Sequence, residues 1–400
     1  MAFVSPMAVR QSTFTSGVQH CCDLTNRHAA QRTPSTTATA PKTGRAFSQP
    51  RMVQYEVRRT VPKIDWNNLG FQYIQTACHV QSVWKDGEWS ALQRVDEPYV
   101  RMHIANTALH YGQSCFEGLK AFRGRDGRVR IFRADENAKR MSSSAARLVI
   151  PNVPEQLFLE AVHTAVRENE QFVPPYGTGG SLYIRPILFG SGAKIGLQSS
   201  DEFTLLVMVV PVGDYYKGGL SPVTAIVMED YDRAAPKGVG HVKVAGNYAA
   251  DLLPNMMGKS AGYPINLYLD AQNRRTIEEF GTSNFFALKG NTYVTPNSRS
   301  VLPSITNKTL IQLARDDGMM VEEREVDIDE LETFDEVGAC GTAVVITAVT
   351  RVVRGSKLYE IGDEPDRVGE RLHSLYRKVR AIQYGEAEDR HGWAQELLLL

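Results

Sequence analysis

The hydrophobic and polar positions change period several times along the chain, and each change predicts an element. "VQSVWKDGEWS" alternates and breaks at Asp86-Gly87, which predicts a hairpin, and "AFRGRDGRVRIFR" repeats the device around Asp126-Gly127. Apolar residues then recur at helical spacing over 136–148 and 155–168. "SLYIRPILFG" and "EFTLLVMVV" are short apolar runs rich in β-branched residues, as buried strands are. The pattern stops at "PVGDYYKGGLSP", whose Gly and Pro residues mark a connection between domains. Beyond it, "VTAIVME", "PINLYLD", "FFALKG", "TYVTP", "MMVEEREVD" and "TAVVITAVTRVV" read as strands, and 305–317 and 366–382 as helices. The predicted fold mixes α/β and α+β: a small N-terminal α+β domain over 60–212, a loop over 213–221, and a larger α/β domain over 222–400. No internal repeat is present.

Residues 1–52 show neither period. They hold six of the 45 basic residues and one of the 45 acidic ones, with many Ser and Thr and no apolar core of a secretory signal. That composition predicts a transit peptide, addressed to a plastid or alternatively to the mitochondrial matrix; a plain disordered tail is the other reading. The remaining body is mildly acidic, without the basic patch that nucleic acid requires. Its longest apolar run, Phe203–Val212, falls short of the roughly 18 residues that span a bilayer.

The five cysteines, at 21, 22, 78, 115 and 340, form no C-x-x-C pair, and the nine His make no H-E-x-x-H. A disulfide framework and a protein-bound metal are therefore not expected. "GSGAKIG" has the wrong spacing for a dinucleotide loop, and "GKS" at 258–260 has Leu253 where a phosphate loop needs Gly.

Lys243, in "HVKVAGNYAADLL", lies between two valines, so on a strand it faces away from both; alone, such a lysine is usually a solvated surface residue. Its surroundings change that reading. "KVAGNY" at 243–248, "LHYGQSCFEGLKAFRG" at 109–124, "LYIRP" at 182–186, "EEFGTSNFF" at 278–286, "LPSITN" at 302–307 and "GACGTA" at 338–343 together resemble the branched-chain amino acid aminotransferases, fold type IV pyridoxal 5′-phosphate enzymes. The resemblance runs in order from about residue 65 to "IQYGE" at 382–386.

It implies a cofactor between two domains and a ping-pong exchange of the amino group between leucine, isoleucine or valine and 2-oxoglutarate. An aldehyde cofactor needs an amine for its Schiff base and a proton shuttle, and the family pattern puts Lys243 in both roles. The carboxylate that keeps the ring nitrogen protonated matches Glu279, three residues before Thr282, with Glu278 the adjacent competitor. Neighbouring strand residues face opposite ways, so only one can reach the ring. Tyr248 matches the partner of the ring's phenolate oxygen. For the phosphate, the pattern implies Arg140, Thr342 and the first-turn amides of Ile305 and Thr306 in a helix capped by Ser304.

For substrate, it implies the amides of Thr342 and Ala343, a Tyr111–Arg185 pair at the pocket rim, and an aromatic wall of Phe116, Tyr183 and Tyr215. A homodimer whose partner closes the pocket is also implied.

Some members carry a redox C-x-x-C after the G-T-A turn; Val344 and Thr347 stand there, so thiol regulation is not expected. Ser304 replaces a common Gly, and Pro254 predicts a kink beyond Tyr248. The alternatives are a D-amino acid aminotransferase or aminodeoxychorismate lyase of the same fold, or a non-catalytic pyridoxal phosphate-binding protein.

Overall fold

The computed structural model describes residues 63–213 and 219–397. The leader and Tyr215 lie outside the described residues. Two nine-stranded sheets organise the rest.

The first sheet is antiparallel throughout. His79–Lys85 turns at Asp86-Gly87 into Glu88–Trp89, and Leu119–Arg123 pairs with Val129–Phe132 across the second predicted hairpin. Ser181–Gly190 and Phe203–Val212 pair along their full length at the centre, which explains why both read as almost continuous apolar runs. Helices Ala134–Arg147 and Glu155–Arg167 bury their apolar stripes, among them Met141, Phe158 and Val162, in this sheet's core. The strand Ala394–Glu396 joins the outer edge by pairing with Val129–Phe132. The end of the described chain therefore returns to the first sheet, which a boundary at 222 does not anticipate.

The second sheet contains a closed ring. Pro222–Val227, Ile265–Leu269, Ile277–Phe280, Ser283–Lys289, Glu336–Gly341 and Val345–Arg354 pair successively, and the last returns to Pro222–Val227 in parallel. Alternate residues serve two cores. Phe285, Ala287 and Ala339 share one cluster, while Phe286, Leu288 and Cys340 share another with the helices Ile305–Asp316 and Glu370–Gln383. Covering both faces leaves few polar positions on these strands.

At Pro254 the predicted kink is a break. Helix Ala245–Ala250 ends at Asp251, and Leu252–Ser260 restarts with Pro254 in its first turn, where the ring costs no hydrogen bond. No helix among the described residues is long and apolar enough to cross a membrane.

Candidate active site

A cavity of about 520 Å³ takes residues from both sheets, and Lys243 lines it. Two other clefts of ≈ 500 Å³, one polar beside Asp335 and Glu370 and one apolar beside Leu109 and Phe189, hold no comparable set of reactive groups.

Lys243 sits just after a turn and outside any strand; the regular pairing nearby is a single bridge between Val244 and Cys115. The expected alternation survives locally, because Val242 and Val244 are buried in the first core while the lysine turns into the cavity. Its backbone is clamped on both sides. Its N–H donates to Ser144 Oγ (2.9 Å), and its carbonyl accepts from Phe116 N–H (3.1 Å). Nζ donates to the Tyr248 hydroxyl at 2.7 Å and lies 4.7 Å from the centre of the Phe116 ring. Burial, and then the Arg140 charge, hold the amine down at about 8. Near neutrality it has an accessible uncharged form, as a nucleophile requires. Burial pushes the Tyr248 phenol up to about 12, so it stays protonated.

Glu279 lies on Ile277–Phe280 with its carboxylate at the cavity. Oε1 accepts from Leu302 N–H (2.8 Å) and Oε2 from Asn284 Nδ2 (2.9 Å). Arg233 Nη1 stands 2.7 Å from Oε1, with both side chains almost fully buried. Burial raises this carboxyl to about 7. Glu278 does not line the cavity; it accepts from Ser298 Oγ at 2.9 Å. The expectation that one of the two reaches the cavity is met by the alternation. Glu278 is nevertheless buried too, because the ring is covered on both faces.

Arg140 projects from Ala134–Arg147 into the cavity. Nε and Nη2 donate to the two oxygens of Glu117 (2.8 and 2.7 Å), and Nη1 to the Pro303 carbonyl (3.0 Å). Glu117 is fully buried, with Asn137 Nδ2 as a further donor at 2.7 Å. Pro303 leads directly into the helix Ile305–Asp316. There Ser304 Oγ accepts from Asn307 N–H (3.2 Å), and the amides of Ile305 and Thr306 begin the helix without intrahelical acceptors. An arginine beside a helix N-terminus is a site for a dianion. Thr342 Oγ1 donates to Gly118 O (3.2 Å), which joins the G-T-A turn to the first sheet.

Arg185, Tyr183 and Phe116 form the opposite wall. Arg185 Nη2 donates to the Tyr183 hydroxyl (2.9 Å), and its guanidinium lies 4.6 Å from the Phe116 ring centre. Its Nε is enclosed without a partner. Gly118 makes room for Tyr183: a Cβ there would come 2.3 Å from the phenol oxygen.

The structure thus brings together Phe116, Arg140, Tyr183, Arg185, Lys243, Tyr248, Glu279, Thr282, Thr342 and Ala343. Ile305 and Thr306 follow Ser304 at the rim. Tyr111 is not among them. It ends the short helix Thr107–Tyr111, is 44% exposed, and donates to the Ile195 carbonyl; the predicted pair with Arg185 does not form within one chain. Sequence reasoning missed Glu117, Arg233 and Asn284. Glu117 and Asn284 stand inside motifs that mark the site, but nothing in the sequence assigns either a partner.

The amino-transferase class IV family profile matches residues 114–352. A branched-chain-amino-acid aminotransferase of Haemophilus influenzae is 45% identical over 82% of this chain and 98% of its own length. The chain belongs to the class IV aminotransferases, in their branched-chain amino acid group. Another relative of this group, branched-chain-amino-acid aminotransferase 5, chloroplastic, of Arabidopsis thaliana, is 41% identical over 84% of this chain and 80% of that one. Among solved structures, the T.th. branched-chain amino acid aminotransferase complexed with N-(5′-phosphopyridoxyl)-L-glutamate superposes with a TM-score of 0.64 at 26% identity, covering 81% of this chain and 100% of that one. The fold mixes helices and sheets, and its two sheets supply the cavity jointly.

Proposed function

We propose that this aminotransferase exchanges the amino group between leucine, isoleucine or valine and 2-oxoglutarate, using pyridoxal 5′-phosphate held between a small domain on the first sheet and a large one on the second. One observation carries the reading: a buried primary amine 2.7 Å from a phenol shares a cavity with a triply held carboxylate and a helix N-terminus flanked by arginine. When bound, the cofactor supplies an aldehyde for the amine and a ring that accepts the charge left on the substrate Cα. The residues fit it. Lys243 would hold the aldehyde carbon, Tyr248 the phenolate oxygen and Glu279 the ring nitrogen, with Thr282 beside the ring. Arg140, Thr342 and the amides of Ile305 and Thr306 would hold the phosphate.

Lys243 Nζ, with its proton affinity lowered by burial, takes the proton from the substrate Cα and returns it during the reverse half-reaction. The amides of Thr342 and Ala343 bind the α-carboxylate. Phe116 and Tyr183 offer the branched chain an apolar wall, and Tyr215 would extend it. Arg185 receives the second carboxylate of glutamate, which an apolar slot could not admit unpaired. The T.th. relative was solved with a glutamate adduct of the cofactor, which supports both ligands.

A homodimer is part of the proposal. Ile104, Leu109, Tyr111 and Ile195 form an exposed apolar patch tied together by local hydrogen bonds, and such patches mark interfaces. Tyr111 would then meet the pocket of a second copy. A plastid stroma is the proposed location, supported by the leader's composition and the chloroplastic relative; a fusion of residues 1–52 to a fluorescent protein tests it.

The deciding experiment is the absorbance spectrum of the purified protein before and after leucine. A cofactor band that shifts on leucine and returns with 2-oxoglutarate is expected. No response to leucine would overturn the proposal, and pyruvate release without consumption of a 2-oxo acid would indicate the lyase. Borohydride trapping should label Lys243 alone.

A further inference from the structure

The proposed function employs Glu279 and gives no part to the guanidinium beside it. Arg233 belongs to the segment between Pro222–Val227 and Lys243. Its Nη1 stands 2.7 Å from Glu279 Oε1 and donates to Ser300 O (3.3 Å), while Nε is enclosed without a partner. The segment is pressed against Ser300: a Cβ on Gly240 would lie 2.0 Å from that carbonyl oxygen. Hydrogen bonding alone does not account for this side chain, because it leaves a buried donor unmatched. Charge does.

Four titratable groups act electrostatically on Glu279: Arg233 from this segment, Glu278 from the opposite face of its own strand, Tyr248 from helix Ala245–Ala250 and Cys340 from Glu336–Gly341. Tyr268, bonded to Asp251, stands near Arg233. Arg233 is the cation in this set. Leu302 N–H and Asn284 are neutral donors.

We propose that Arg233 is a positioning residue that favours the ionised form of Glu279 inside the cavity, so that the proton shared with a bound heterocyclic nitrogen rests on the ligand more than on the carboxyl. This rests on the aminotransferase reading, in which that nitrogen belongs to the cofactor ring. An opposite charge at such range lowers a carboxyl by about 1–3 units. With Arg233 present, Glu279 already titrates at about 7. Without it the group becomes a neutral acid across the physiological range and presents a hydrogen-bond donor where an anion is needed.

The test compares full-length Arg233→Gln and Arg233→Lys with wild type, using Glu279→Gln as reference. In protein freed of cofactor, thermal stability is followed against pH. A carboxyl raised in the folded state binds more protons there than in the unfolded chain. Stability therefore falls as pH rises from the ordinary 4.5 and stops falling once the folded group has ionised, at about 7. Glu279→Gln should lack this fall. In Arg233→Gln it should continue for about 1–3 further units, and Arg233→Lys should follow wild type. An Arg233→Gln profile that levels off where wild type does overturns the proposal.

In the loaded enzyme, the leucine half-reaction of Arg233→Gln should lose kcat with little change in KM, most severely near neutrality, and Arg233→Lys should restore it. A loss with no pH dependence also overturns it. If Arg233→Gln fails to fold, Arg233→Gln/Glu279→Gln should fold, since no buried ionisable group is left without its partner; failure of the double variant makes Arg233 a packing residue only. A wild-type protein that ignores leucine defeats the aminotransferase reading and leaves the titration result standing.

Discussion

The cavity has a buried arginine–glutamate pair at each end, and the two are built the opposite way round. At the first-sheet end, Arg140 faces the cavity while Glu117 stands fully buried behind it, accepting from its Nε and Nη2. At the second-sheet end, Glu279 is the group presented, with Leu302, Asn284 and Arg233 as its donors. A cation beside a helix N-terminus suits a phosphate, and an anion suits a protonated ring nitrogen. One kind of pair thus suits two opposite ends of a ligand, and what differs is which member stands in front.

The largest effect should come from reversing the second end. Glu279→Gln is expected to slow turnover roughly 10²- to 10⁴-fold, because an amide cannot hold a proton on the ring nitrogen. Glu278→Gln, outside the cavity, should leave turnover near wild type. Equal losses in steady-state assays would mean that the strand presents the other carboxylate.

The first end should respond in stability. Arg140→Met leaves Glu117 charged and unpaired in the core, and breaking such a pair costs about 3–5 kcal/mol. Arg140→Met/Glu117→Gln should recover most of it in urea unfolding. If the double variant is as unstable as the single one, the arginine matters by packing and the likeness between the two ends fails.

Arg185 is a third guanidinium, and no carboxylate among the described residues pairs with it. Arg185→Gln should therefore damage the half-reaction with glutamate about ten- to a hundredfold more than that with leucine, the worth of a charge-assisted pair of about 1.5–3 kcal/mol. Single-turnover rates with each amino acid decide it; an equal loss would assign Arg185 to the α-carboxylate that every substrate carries.

The smallest effect concerns Lys243, which lies between the two ends. Its folded-state amine titrates at about 8 against an ordinary 10.5, so between those values the unfolded chain binds more protons and stability rises with pH. In protein freed of cofactor, Lys243→Met should be more stable than wild type near neutrality, and its advantage should fade above about 8 and vanish near 10.5. Thermal melts at both extremes check this, and an advantage that stays constant would show that the amine is not held uncharged by burial.

Much of this was legible in the sequence. Both hairpins, both central strands and the helices beginning near 136, 155 and 305 lie where periodicity put them, since these elements bury one face or are wholly enclosed. The line of cavity residues from Phe116 to Ala343 followed from ordered motifs. Arg233 and Glu117 were not legible because each acquires its role from a partner 46 or 23 positions away, and a charged residue in a loop looks the same with or without one. Glu278 reads as a surface residue because a strand is ordinarily covered on one face, whereas ring closure covers this one on two. Tyr111 is adjacent to the site in sequence alone; its helix carries the ring outward.

The returning strand Ala394–Glu396 sets a timetable for biogenesis. Its partner, Val129–Phe132, leaves the ribosome roughly 260 residues earlier, so at about 5–20 residues per second the edge of the first sheet waits some 13–50 s for its neighbour. Throughout that interval a nascent chain offers an unpaired row of backbone donors and acceptors to whatever extended segment drifts past. Yield in cells should then depend on translation speed through the last third of the message and on holdase supply, even when the finished enzyme is perfectly stable.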